Sequence, residues 1–215
     1  MKKQKSLLVL ILLLAASVVF LTIVLPYIQK KIYNGENKGG LDMVIINHGD
    51  EISKSANEFN IPSEYLEAVC MLETAGKKNI ESRYEKHVFR RLKKVRDGEM
   101  SYFESITKDM IADASDEALK NLASSWGPFQ LMGYKCLHLG IKVKDIRGVD
   151  AVYYGTQWIN LTYGEYLRKG QFKDAFHLHN AGKKIPKSGG SLTHDPNYIK
   201  NGMKYLAYFR KLEKK

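Results

Sequence analysis

The chain has 215 residues, 44% of them hydrophobic and 27% charged. That balance excludes a disordered or fibrous protein and gives room for one domain with a sizeable core. The net charge is +11, but no stretch carries a nucleic-acid reading motif, so the charge points to an anionic polymer or a membrane surface rather than to DNA or RNA. Two cysteines, Cys70 and Cys136, make neither a disulfide framework nor a metal site. One bridge between them and two free thiols both stay open.

Residues 7–25 run apolar apart from Ser17 and Thr22, which at the helical rise is roughly 28 Å, about the thickness of a bilayer core. Ala15, Ala16 and Ser17 lie inside this run rather than after it. That argues for an uncleaved transmembrane anchor over residues 1–28 rather than a signal peptide that is removed. Residues 29–44 read as a linker, with "YNGENKGG" at 33–40 rich in Gly and Asn. Six of the 34 basic and one of the 23 acidic residues fall in the first 40 positions, so the domain beyond the linker is itself basic. Much of that charge, as in "FRRLKKVR" at 89–96, reads equally as the solvated face of a helix.

In the domain, expected to span residues 45–215, helical spacing predicts a helix over 50–60, with Ile52, Ala56 and Phe59 on one side. Asn60-Ile61-Pro62-Ser63 breaks the chain and starts a second helix. Further helices are predicted over 84–95, 104–123, 149–170, 172–182 and 197–212, and glycines 127, 133 and 140 punctuate the stretch between 123 and 149. Few runs alternate at period two, so the class is mainly α.

The second helix raises the functional question. Leu66, Val69 and Cys70 form one apolar stripe, and its next member is Glu73. Thr74-Ala75-Gly76 then ends the helix. An acid on the core side of a helix end suits a cleft wall.

Around Glu73, "IPSEYLEAVCMLETAG" resembles the catalytic helix of soluble lytic transglycosylase domains. "SSWGPFQLMG" (124–133) is similar to that family's Gly-Leu-Met-Gln segment, keeping Gly127 and Gln130. "FHLHNAG" (176–182) is similar to its Ala-Tyr-Asn-Ala-Gly segment, with His179 where tyrosine is usual. "DPNYIKNGMKYLAYF" (195–209) resembles its closing helix, with Tyr198 as the tyrosine. The resemblance covers residues 45–210 but has one departure, a long insert between Glu73 and the glycine-glutamine segment. Within it "RYEKHVFRR" (83–91) is similar to phage-type N-acetylmuramidases with a Phe-Glu-x-His-x-Phe signature, Tyr84 replacing the first Phe.

Both resemblances imply a mainly α, lysozyme-like single domain of the goose-type lysozyme and lytic transglycosylase kind. They imply a peptidoglycan glycan-strand substrate, a site on the extracytoplasmic side of the membrane, and no cofactor or metal. Glu73 is the implied general acid, kept neutral by burial. Glu85 is the candidate second carboxylate that a hydrolase needs, and it reads equally as an ion-pair partner of Arg83 or Arg90. Gln130, Asn180, Tyr198 and Gly127 are implied substrate contacts, and Trp126, Phe129 and Tyr134 offer either sugar-stacking faces or core. Non-hydrolytic cleavage is the first expectation and hydrolysis the second. An inactive wall-binding or envelope-assembly protein that kept the fold is an alternative of another class. His177, His179 and His194 lack the acidic or cysteine company of a metal site.

Overall fold

A computed structural model describes residues 17–26 and 39–213 and divides the chain into two units, residues 1–38 and 39–215. In the first unit residues 17–26 are helical, with a π-helical turn at Phe20–Val24. Most of the expected anchor and linker falls outside the described residues, and among the described residues no helix is long and apolar enough to cross a membrane.

The second unit is mainly helical. Helix α1 (Leu41–Phe59) packs on α2 (Ser63–Thr74) and on α7 (Ala151–Arg168), while α9 (Tyr198–Leu212) packs on α2 and on α8 (Phe172–Ala181). Helix α1 starts inside the expected linker and well before position 50. Gly40 N–H donates to Ala75 O at 2.7 Å, and Val44 is fully buried, so the segment is drawn into the core by contacts distant in sequence. Helix α2 is the central element. Tyr65, Leu66, Ala68, Val69 and Cys70 are all 0% exposed, so it is buried nearly all round.

The insert builds a second core of its own. Strand β1 (Arg83–Tyr84) leads into α3 (Lys86–Arg96), whose Val88, Leu92 and Val95 recur at helical spacing and are buried. Each such side chain stabilises the fold by about 1.5–3 kcal/mol on burial. They meet Phe103 and Ile106 of a hairpin, β2 (Tyr102–Phe103) with β3 (Ile106–Thr107), then Ile111 of α4 (Lys108–Ile111) and Leu119 and Leu122 of α5 (Asp116–Leu122). The single helix expected over 104–123 is therefore a turn, a strand and two helices. Glu104 and Ser105 both take positive φ (49° and 62°), which closes the hairpin, and Ser115 accepts a hydrogen bond from Ala118 N–H at 3.1 Å, which starts α5 afresh.

A three-stranded antiparallel sheet, ordered β1, β4 (Ser124–Trp126), β5 (Leu131–Met132), ties this lobe to the helical one. Helix α6 (Lys135–Leu139) follows β5. Cys70 and Cys136 are free and buried in separate clusters. Burial pushes both thiols up to about 12.

Candidate active site

Glu73 sits in the last turn of α2. Ala75 (φ 53°) and Gly76 (φ 69°) then turn the chain sharply, and a Cβ at Gly76 would stand 2.6 Å from the Val44 backbone nitrogen, so only glycine allows α1 to close against this turn. Thr74 Oγ1 reaches Pro128 O at 3.4 Å, which brings the helix end against the turn between β4 and β5. Glu73 thus stands where the helical core meets the sheet, with its side chain 19% exposed.

Its two oxygens are treated differently. Oε1 accepts a hydrogen bond from the hydroxyl of Tyr198, the first residue of α9 and itself buried. His179 Nε2 lies 3.7 Å from the same oxygen. Oε2 has no hydrogen-bond partner among the described residues. Burial raises the Glu73 pKa, against the opposing effects of the Tyr198 hydrogen bond and of the charges on Arg83 and Lys135. The C-terminal end of a helix also disfavours a negative charge.

His179 is neutral, because burial pushes it down to about 3 with help from the Lys135 charge. Its tautomer follows from its partners. Nε2 faces the Phe129 carbonyl at 3.2 Å and must carry the proton, so Nδ1 accepts from the Tyr163 hydroxyl. Tyr163 reaches this position through a local break in α7, where its backbone leaves helical geometry (φ −149°, ψ 18°). The arrangement holds a carboxyl that keeps its proton at a pH where an exposed glutamate is ionised, with its unbonded oxygen the free one. Such a carboxyl can give up a proton and, once ionised, take one back.

The structure brings Tyr198 and Glu73 together; the other expected residues are placed as follows. Glu85, N-terminal to α3, has Oε1 on Arg83 Nε at 2.8 Å and Oε2 by His87 Nδ1 at 3.5 Å. Arg83 thus stands between the two acids electrostatically, since its charge also acts on Glu73. Gly127 (φ 71°) opens the turn between β4 and β5, and Gln130 (φ 48°) ends it. Gln130 accepts from Ser125 Oγ at 2.7 Å and donates to Gly127 O at 3.2 Å, so its amide braces that turn. Trp126 donates its indole N–H to Asn121 O at 2.9 Å, and the Arg147 guanidinium lies 5.4 Å from its ring.

Two expectations require correction. Phe129 (2% exposed) packs in the helical core and Tyr134 (8%) in the insert's core, so neither ring offers a face to a sugar. Their apolar area goes into those two cores.

Asn180 accepts from His194 N–H at 3.1 Å and so shapes the loop after α8. The fully buried His177 clasps the same loop at two points, its Nδ1–H donating to Lys183 O and its Nε2 accepting from Leu192 N–H at 3.0 Å. Among the described residues no group of three or more His, Cys, Asp or Glu stands together as a metal site would require.

Lys135 was not foreseen. It is half-buried at the start of α6, its ammonium 5.0 Å from the Trp158 ring centroid. Burial pushes it down to about 8 despite the charges on Glu104 and Glu73. Nothing in the local pattern marks it, because its neighbours come from other segments. Tyr163 falls within the helix expected over 149–170, where its spacing alone does not single it out. Comparison of the chain with family models, with curated proteins and with solved structures finds no match.

Proposed function

We propose that this domain is a membrane-anchored lytic transglycosylase of lysozyme-like fold. It would cleave the β-1,4 bond between N-acetylmuramic acid and N-acetylglucosamine on the extracytoplasmic side. The observation that carries the reading is the buried Glu73 carboxyl, raised in pKa by desolvation and held through one oxygen by Tyr198. Its partly exposed place at the end of α2, beside the turn between β4 and β5, suits the wall of a binding site.

In the reaction Glu73 gives its proton to the bridging oxygen as the bond from the muramyl C1 breaks. The resulting carboxylate takes the proton of the muramyl 6-hydroxyl as O6 bonds to C1, which forms a 1,6-anhydro end, consumes no water and restores the acid. The Tyr198 hydroxyl, Arg83 and Lys135 stabilise the carboxylate between the two transfers, since each favours the charged form. Glu85 favours this route over hydrolysis, because its Oε1 is held by Arg83 at 2.8 Å and its Oε2 lies 3.5 Å from the His87 ring.

Mass spectrometry of digested sacculi tests the proposal. Anhydro-muropeptides are the expected product, and Glu73→Gln should lower the rate by about 10²–10⁴-fold. Reducing muramic ends that take up labelled oxygen from water would turn the assignment to a muramidase. Binding of sacculi with intact glycan, unaltered in Glu73→Gln, would turn it to a wall-binding protein.

A further inference from the structure

Arg83 and Lys135 are the two cations whose charge favours ionised Glu73, and they are compensated very differently. Arg83 is bonded to Glu85 at 2.8 Å and its side chain is 75% exposed, so its charge is shared and solvated. Lys135 is half-buried and has no hydrogen bond or ion pair among the described residues; its one contact of charge is the Trp158 ring. Glu104 is exposed, and neither it nor Glu73 forms an ion pair with the ammonium among the described residues, so their charges act on it only at a distance. A cation withdrawn from water without an anion is costly unless a ligand supplies one.

We infer that Lys135 is the receptor for a carboxylate of the glycan substrate. The inference rests on the transglycosylase reading and names what that site selects. Muramic acid bears a 3-O-lactyl group, a free carboxylate in strands without peptide. In strands with peptide the lactyl group is an amide, and the stem brings carboxylates of its own. Either source supplies the same chemistry, an anion beside the ring whose bond is cut. The ammonium is a point donor with three protons and tolerates either geometry.

The experiment uses the full chain, as wild type, Lys135→Gln and Lys135→Arg, on two pairs of substrates. The first pair is stem-free strands with free lactyl carboxylates and the same strands converted to neutral methylamides. The second is stem-bearing strands before and after amidation of the peptide carboxylates. Wild type should show a KM about tenfold lower for the charged member of one pair, the size expected when a charged hydrogen bond is lost. The ratio should fall to about one in Lys135→Gln and persist in Lys135→Arg. A ratio within each enzyme cancels any effect of the substitution on Glu73 itself. The pair that shows the preference identifies the carboxylate as lactyl or stem. A wild type indifferent to both amidations, or a Lys135→Gln variant that keeps the wild-type ratio, overturns the inference while leaving the transglycosylase reading standing. A wild type that cuts none of the strands overturns both.

Discussion

Replacing Glu73 with glutamine should make the protein more stable at a pH where the wild-type carboxyl is ionised. Burial outweighs the Tyr198 hydrogen bond and the Arg83 and Lys135 charges, so the folded-state pKa of Glu73 is above its unfolded value. Below the unfolded pKa the carboxyl is protonated in both states and contributes no pH dependence. Between the two pKa values the native state binds the proton that the unfolded state has released, so stability falls as pH rises, and above the folded pKa the loss is complete. Every tenfold weakening of the acid costs about 1.4 kcal/mol at that limit. In a domain of this size that corresponds to roughly 3–6 °C in Tm.

Glutamine carries no charge to desolvate, and its carbonyl oxygen still accepts from the Tyr198 hydroxyl, so no buried donor is left unpaired. Thermal unfolding of wild type and Glu73→Gln is to be compared at pH 4 and pH 8. Glu67, pushed up to about 7 by its burial and by Glu213 and Glu64, gives both proteins a pH dependence of its own, which cancels in the difference between them. The expected result is a gain of several degrees at pH 8 and almost none at pH 4. An equal gain at both values, or a loss at pH 8, would refute the argument that desolvation governs this carboxyl.

Tyr198→Phe removes a hydrogen bond that favours ionised Glu73, so the basic limb of the pH–rate profile should move to higher pH while the rate falls about tenfold or more; a limb displaced to lower pH contradicts the assignment. Gly76→Ala sets a Cβ 2.6 Å from Val44 N at a positive φ, and should cost about 1–3 kcal/mol, read as a lower urea midpoint. An unchanged midpoint would mean that α1 shifts freely. His177→Phe leaves Lys183 O and Leu192 N–H without their shared partner. Trypsin should then cut at Lys183, Lys184 or Lys187 markedly faster while Tm changes little, and an unchanged cleavage rate would show that the clasp does not hold the loop.

Legibility followed the range of the interactions involved. The stripe of Leu66, Val69, Cys70 and Glu73 was readable because helical spacing alone assigns its side, and the structure buries the first three fully and leaves Glu73 at the rim. The last three helices were readable within a few residues for the same reason. The hairpin at 102–107 was not, since two-residue strands carry no period and its turn uses Glu104 and Ser105 instead of glycine. The start of α1 was missed because Met43-Val44-Ile45-Ile46 is an apolar block without a period, and Val44 becomes core only once Gly76 closes on it. Within the site, Tyr198 came from motif order, whereas Lys135, Tyr163 and the neutral state of His179 depend on contacts that only the folded chain creates.

The placing of Arg83 has an electrostatic consequence. Arg83 rides on β1 and pairs in register with Ser125 of β4, while Glu73 is fixed near the end of α2. Its charge favours the ionised carboxyl, so the strand register of the insert helps to set how tightly Glu73 holds hydrogen. A substitution that loosens β1 from β4 would retune the acid from a distance, without touching it.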